Sequence, residues 1–100
     1  MTYDIIVLGS GPAGLSAAVT ARGRNKSVLV IGNRWQDSPL ARAEQVDNYL
    51  GLPGRTGHEM LEEFQRHAEQ MGTEFLTGKA ISLMAWKGFM VTVGSQVYDS

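Results

Sequence analysis

Four consecutive apolar residues, at positions 5–8, mark the first regular element of this chain and lead directly into a glycine-rich turn. Because this run has no polar face, it predicts a strand over residues 3–8 that is buried inside a parallel sheet. An alanine-rich stretch with helical spacing of its apolar residues follows, and it predicts a first helix from Pro12 to about Gly23. A second apolar run at residues 27–31 then completes a parallel βαβ unit.

A second helix is predicted in the middle of the chain. Thr56 and Glu59 have the spacing of a capping box, in which the Thr56 hydroxyl caps the helix and Glu59 reaches back. The apolar residues that follow form one stripe at helical spacing, with Phe64, Met60 and Met71 expected in the core, and the helix is predicted to end near residue 72.

The last third of the chain has the pattern of short strands. A strand is predicted at residues 73–77, and residues 79–86 and 89–93 alternate around a two-residue turn formed by Lys87 and Gly88. This arrangement predicts a β-hairpin, and a further strand begins near residue 97. The predicted fold is therefore α/β, with a Rossmann-like parallel βαβ core, an appended antiparallel β-hairpin or meander, and an incomplete C-terminal end.

The connection at residues 35–55 shows no clear hydrophobic periodicity. Loops of this length inside a compact domain are usually functional or mobile. We expect this one to wrap around a large cofactor.

The turn after the first strand has the glycine spacing of a dinucleotide-binding fingerprint. Gly9 is expected to form the tight turn, Gly11 to let the backbone approach phosphate oxygens, and Gly14 to let the helix lie close to the strand. Free backbone N–H groups and the positive end of the helix dipole would then face a pyrophosphate. The predicted phosphate-binding residues are Gly9, Ser10, Gly11, Pro12, Ala13 and Gly14. The alternative is a βαβ unit with an ordinary glycine turn and no ligand.

The end of the second strand departs from this fingerprint. A carboxylate usually stands there to bind the ribose hydroxyls, but this chain has Gly32, Asn33 and Arg34. Asn33 can hydrogen-bond a hydroxyl, and Arg34 can stack on adenine or contact a phosphate. Since a 2′-phosphate is bound by a fork of donors, Arg34 also leaves NADP as a candidate ligand. The alternative is a polar loop that touches nothing.

Composition narrows the possible functions. The 100 residues are 43% hydrophobic with a formal net charge of −1, which argues against nucleic acid or a membrane surface as the main partner. The absence of cysteine excludes disulfides and thiol catalysis within these residues. Neither His58 nor His67 has a second ligand at helical spacing, so no metal site and no catalytic side chain is predicted. The expected location is cytoplasmic.

The chain resembles the amino-terminal part of thioredoxin reductase-type flavoproteins over essentially its whole length. Three segments carry the resemblance: GSGPAGLSAA at residues 9–18, VDNYLGLPG at 46–54 and TGHEMLEEFQRHAEQMG at 56–72. The resemblance implies FAD as the cofactor, with its pyrophosphate on the glycine turn. It further implies that residues 32–34 lie by the ribose and adenine, Asn48 near the flavin, and the Ala80 backbone at the adenine edge.

Two segments depart from the usual family pattern. Asp37-Ser38-Pro39-Leu40 replaces Gly-Gly-Gln-Leu, and Asn48-Tyr49-Leu50-Gly51 replaces Asn-Tyr-Pro-Gly. Together with Asn25-Lys26-Ser27-Val28, these two segments resemble the atypical branch that includes ferredoxin-dependent flavin thioredoxin reductases. The electron donor therefore stays open between a nicotinamide nucleotide and ferredoxin, and a redox cysteine pair would lie beyond residue 100.

The resemblance also implies that residues 1–100 are the N-terminal part of the FAD-binding domain in a two-domain oxidoreductase. The parent would pass electrons through flavin towards a disulfide, with thioredoxin, and ferredoxin or NADPH, as partners. The segment alone is expected to be inactive, with an open sheet edge covered by the rest of the parent chain or by a second copy. Two other readings stay open: an NAD(P)-binding Rossmann module, and a regulatory or assembly domain without a ligand.

Overall fold

A three-stranded parallel sheet with two helices, joined to a three-stranded antiparallel sheet, forms the fold. The computed structural model describes residues 2–85 and 88–100. The parallel half contains β1 (Ile5–Leu8), α1 (Pro12–Gly23), β2 (Val28–Gly32), α2 (Gly57–Gln70) and β3 (Glu74–Thr77). The antiparallel half contains β4 (Ala80–Ala85), β5 (Phe89–Val93) and β6 (Gln96–Asp99). The predicted α/β fold with an appended meander is confirmed.

Strand β2 is the centre of the parallel sheet and the divider between two hydrophobic clusters. Its side chains alternate, so that Leu29 and Ile31 pack towards Val91 of the meander, while Val28 and Val30 pack against α1. Both faces are therefore buried, which explains why this strand is an uninterrupted apolar run rather than an alternating one.

Strand β1 lies at an edge of the sheet, because the strand order is β1-β2-β3. The prediction that this strand is buried inside the sheet is therefore wrong for the part of the chain that the structure describes. Ile5 is 38% exposed and Leu8 is 49% exposed. An apolar run predicts that a strand is buried, but it does not indicate whether the element that buries it lies within the same hundred residues.

Helix α2 begins with the predicted capping box. The Glu59 backbone N–H donates to the Thr56 hydroxyl at 3.1 Å, and the Thr56 N–H donates to the Glu59 carboxylate at 3.2 Å. Met60 is fully buried, as predicted, whereas Phe64 and Met71 are only half-buried. The predicted apolar stripe is thus correct in position, and the fully buried residues of this face are Met60 and Leu61 near its start and Ala68 near its end.

The meander confirms the predicted hairpin. Ala85 pairs with Phe89 in an antiparallel register, and β6 continues the sheet beyond β5. Trp86 and Lys87, which were assigned to the turn and its flank, lie outside the described residues.

The connection between β2 and α2 is more ordered than its sequence indicates. It contains two short 3-10 helices, Trp35–Asp37 and Pro39–Arg42, and a β-bridge between Val46 and Arg55. Sequence periodicity missed these turns because elements of three or four residues are too short to produce a repeat.

Asp4 and Ser27 join the starts of β1 and β2. The Asp4 carboxylate accepts hydrogen bonds from the Ser27 backbone N–H at 2.8 Å and from its hydroxyl at 3.2 Å. These bonds lower the pKa of the Asp4 carboxyl below its ordinary 3.8, because they favour the charged form. The ionised carboxylate therefore stabilises the fold above that ordinary value, and this contribution is lost as the pH falls through the lowered pKa.

We expect Asp4→Asn to lower the thermal unfolding temperature of the intact protein at pH 7, and we expect the difference from the wild type to close as the pH falls below about 4, the ordinary Asp value. Thermal melts over a pH series measure this. Asp47→Asn is the matched control, because exposed Asp47 accepts one hydrogen bond within the described part of the chain, from neighbouring Gln45. A difference that stays constant down to pH 3 would show that the Asp4 charge is irrelevant.

Candidate cofactor site

The glycine turn joins the carboxyl end of β1 to the first turn of α1. Gly9 has a positive φ of 124°, a conformation that favours glycine, and its N–H donates to the Ile31 carbonyl at 2.8 Å. Gly11 caps α1 with extended backbone and without a side-chain hydrogen bond, and Pro12 occupies the first helical turn. The amides of this first turn have no partner inside the helix and can receive an anion.

Two glycines of the turn have different surroundings. Among the described residues, no atom lies within 4 Å of a Cβ atom built on Gly11, so the space beside it is open. A Cβ atom on Gly14 would overlap the Gly9 carbonyl oxygen and would lie 3.2 Å from Val7 Cγ1. Gly14 is therefore needed for α1 to pack against β1, whereas the open space beside Gly11 can admit a ligand.

Ser10 links the glycine turn to the end of β2. Its hydroxyl donates to the Asn33 carbonyl at 2.9 Å. Gly32 makes this approach possible, because a Cβ atom there would lie 2.7 Å from the Ser10 hydroxyl oxygen. The glycine turn and residues 32–34 are thus held together by a direct hydrogen bond.

A cavity of about 470 Å³ opens at the carboxyl ends of the three parallel strands. This is the position where ligands bind in open α/β sheets, and the volume lies within the usual range for small-molecule sites. Among the predicted site residues, its lining contains Gly9, Ser10, Gly11, Gly32, Asn33, Arg34 and Ala80. Pro12, Ala13 and Gly14 form the start of α1 next to it.

Several lining residues were not predicted as site residues. They are Leu8, Ile31, Asp37, Ser38, Pro39, Gly78 and Lys79. Gly78 and Lys79 follow the carboxyl end of β3, and the rule that parallel strands present their carboxyl ends to the ligand could have identified them. No comparable signal exists for Asp37, because its position depends on a short 3-10 turn.

Arg34 does not stand free over the cavity. Its Nε lies 3.2 Å from Asp37 Oδ2, and its terminal nitrogen donates to Oδ1 at 3.4 Å. Both side chains remain more than half exposed, at 62% and 56%. A guanidinium that already faces a carboxylate is less suited to a 2′-phosphate than the sequence alone indicates.

Asn48 is not brought to this cavity. It is exposed in the loop closed by the Val46–Arg55 bridge. Its neighbour Tyr49 packs on Phe64 with ring centroids 5.3 Å apart and lines a separate cavity of about 210 Å³ beside α1. The assignment of Asn48 to the flavin end of the cofactor stays a prediction.

The largest pKa shift lies away from the cavity. The Glu74 carboxylate, together with burial, raises the pKa of Tyr3 to about 12. Because Tyr3 and Glu74 lie at the amino ends of the parallel strands, they are opposite the candidate site.

Within residues 2–85 and 88–100 there is no group of three or more metal-ligating His, Cys, Asp or Glu side chains. No helix in those residues is long and apolar enough to cross a membrane.

The arrangement fits the pyrophosphate and adenosine part of a dinucleotide. The backbone amides at the N-terminus of α1 have no partner inside the helix, and the space beside Gly11 is open. The cavity continues from there to Asn33 and Ala80. Backbone donors and one open glycine face are what a diphosphate needs from such a turn. The residues present therefore fit the group that the glycine motif implies.

Comparison with known proteins agrees with this geometry. A family model described as an FAD binding domain matches residues 4–44, which contain β1, the glycine turn, α1, β2 and both 3-10 turns. The thioredoxin reductase of Bacillus subtilis (strain 168) is 34% identical over 99 residues, which cover 98% of this chain and 31% of that protein.

Solved structures extend the similarity to the fold. A ferredoxin-flavin thioredoxin reductase from Clostridium acetobutylicum aligns with a TM-score of 0.90 and 36% identity, over 100% of this chain and 35% of that chain. The atypical thioredoxin reductase of Desulfovibrio vulgaris Hildenborough aligns with a TM-score of 0.85 and 31% identity, over 95% of this chain and 32% of that chain. The chain spans about a third of the length of these relatives.

Proposed function

We propose that this chain, which is a thioredoxin reductase-like FAD-binding segment, holds the cofactor of an oxidoreductase that passes electrons through flavin towards a disulfide. The observation that carries the proposal is the open face of Gly11 at a helix mouth with unpaired amides, next to a cavity at the carboxyl ends of the strands. The similarity to thioredoxin reductases supports the same conclusion.

The residues of this chain would bind and orient the cofactor. The amides of the first turn of α1 would receive the pyrophosphate, with Ser10 fixing the turn against Asn33. Asn33 and Arg34 would lie by the ribose and adenine, and the Ala80 backbone by the adenine edge. When bound, FAD supplies the electron-transfer chemistry, and the protein supplies position and electrostatic environment.

The partners of the parent protein are part of the proposal. Thioredoxin is the proposed disulfide substrate, since the relatives are named thioredoxin reductases. The segment Asp37-Ser38-Pro39-Leu40 and the similarity to a ferredoxin-flavin thioredoxin reductase favour ferredoxin over NADPH as donor. The predicted cytoplasmic location belongs to this proposal as well.

Among the described strands, β1 pairs with β2 alone, and this open edge supports the view that the segment works inside a larger protein. Ile5 and Leu8 are large apolar residues with exposed side chains, and unpaired strand edges are normally covered. We propose that the rest of a parent chain, or a second copy, covers this edge. A native product with an intact mass of 10.9 kDa would refute the parent-chain alternative.

The two other readings are less well supported. An NAD(P)-binding module drew its support from Arg34, which faces Asp37 in the structure. A regulatory domain without a ligand has no need of an open glycine face beside a cavity.

The visible absorption spectrum of the purified intact protein tests the proposal. We expect flavin absorption bands, and we expect FAD to be released on denaturation. A colourless protein that binds NADP would favour the nicotinamide reading, and a colourless protein that binds neither nucleotide would favour the regulatory one. Either result would contradict FAD binding.

A further inference from the structure

We propose that Asp37 supplies the carboxylate that binds the cofactor ribose, and that its pairing with Arg34 selects adenosine with a free 2′-hydroxyl. This inference rests on the proposed function, because it assumes that adenosine of a dinucleotide occupies the cavity. It makes Asp37 a specificity-determining residue at a position that lies beyond the strand end where dinucleotide-binding folds usually carry their acidic residue.

Asp37 can supply the carboxylate that the end of β2 lacks. The end of β2 carries Gly32, Asn33 and Arg34 and has no acidic residue there. Of the described residues that line the cavity, Asp37 is the single carboxylate, and it lies on the same wall as Asn33 and Arg34. A ribose diol offers two hydroxyl donors, for which a carboxylate is the strongest common acceptor.

The turn that carries Asp37 is anchored to α2. The Trp35 ring packs edge-on against His58, with ring centroids 4.6 Å apart. The Asp37 N–H donates to the Arg34 carbonyl at 3.0 Å, which closes the 3-10 turn. On the far side, the Leu40 carbonyl lies so close to Gly57 that no side chain would fit there. The backbone that carries Asp37 is thus held by packing, while its side chain remains more than half exposed.

The ion pair leaves Asp37 able to accept further hydrogen bonds. A carboxylate has about four acceptor positions, and Arg34 uses one on each oxygen at 3.2 and 3.4 Å. Because both side chains are exposed, the pair itself contributes little stability and can adjust when a ligand enters. The two ribose hydroxyls can therefore use the remaining positions.

The same carboxylate disfavours a 2′-phosphate. A phosphate at that position would lie beside a negative charge, and the guanidinium that could bind it is already engaged. Lys79, the residue before β4, is the second cation among the lining residues that the structure describes. Asp37 thus favours adenosine with a free 2′-hydroxyl, whereas an Arg34 released from Asp37 would favour a 2′-phosphate.

The test compares two adenosine ligands on the intact protein after removal of its flavin. Calorimetry would measure 5′-AMP and adenosine 2′,5′-bisphosphate on the wild type and on Asp37→Asn. We expect the variant to lose about tenfold in 5′-AMP affinity, as for the loss of one charge-assisted hydrogen bond. We expect its affinity for the 2′-phosphorylated ligand to rise, because Arg34 is released.

Two variants serve as controls. Asp47→Asn makes the same chemical change at an exposed position that is not among the lining residues, and both affinities should stay at the wild-type level. Arg34→Gln keeps the carboxylate, so 5′-AMP should still bind while affinity for the 2′-phosphorylated ligand should not rise.

Each outcome decides the inference. If Asp37→Asn changes neither affinity, or weakens both ligands equally as a structural defect would, the assignment of Asp37 is wrong. In both cases FAD binding by the wild type would leave the proposed function standing. A wild-type protein that binds neither FAD nor 5′-AMP would overturn both.

Discussion

Gly11→Val should give a folded protein that does not retain FAD. A Cβ atom on Gly11 meets no atom of the described residues within 4 Å, so the fold has room for a side chain to begin there. The same space is where a pyrophosphate must approach the backbone. An overlap costing about 3 kcal/mol in a packed site corresponds to a loss of about a hundredfold in affinity. The ratio of flavin to protein absorbance after purification measures the retained cofactor.

The matched control for this variant is Gly23→Val at the other end of α1. Of the atoms that the structure describes, a Cβ atom there meets Met71 Cε alone, at 3.9 Å, and the position is exposed and remote from the cavity. This variant should keep its flavin. Unchanged flavin content in Gly11→Val, with the wild-type circular dichroism spectrum, would mean that the pyrophosphate does not lie at the glycine turn.

Gly14→Ala should lower the stability of the protein even without its cofactor. A single methyl group at this position overlaps the Gly9 carbonyl oxygen and crowds Val7 Cγ1 at 3.2 Å. Because the obstacle is backbone, it cannot turn aside as a flexible side chain would. We expect α1 to move away from β1 at a cost of about 2–3 kcal/mol in the free energy of unfolding. Urea denaturation of the intact apoprotein measures this without a contribution from FAD binding.

Ser16→Ala provides the comparison for Gly14→Ala, since it adds no atom and changes an exposed position of the same helix. Its stability should stay within about 0.5 kcal/mol of the wild type, as for most surface substitutions. Wild-type stability in Gly14→Ala would contradict the close packing of α1 on the turn. Taken with Gly11→Val, the pair separates a glycine that the ligand needs from a glycine that the fold needs.

The individual strands, turns and helices could be predicted because they depend on residues close together in the sequence. The strand, glycine turn and helix at residues 5–23 follow from an apolar run, a glycine spacing and an alanine-rich stretch, whose effects act within a few residues. The capping box at Thr56 and Glu59 is equally local. The meander followed from alternation and a short turn.

The candidate site was partly readable for the same reason. Glycine positions indicate where the backbone must turn or be approached, and the end of the second strand indicates where a ribose would lie, so the glycine turn and residues 32–34 could be named as candidate site residues in advance. Asn48 could be named only from family resemblance, and the structure leaves it outside the cavity.

The sequence by itself determined which segments form strands and helices and which backbone positions carry no side chain. Only the tertiary structure decided that β1 lies at an edge, that Arg34 faces Asp37, and that this pair lies on the wall of the cavity. The physical reason is range: propensity, capping and glycine geometry act between near neighbours. Strand order, and the placing of a short turn through the contact of Trp35 with His58, depend on surfaces that meet only after the chain has folded.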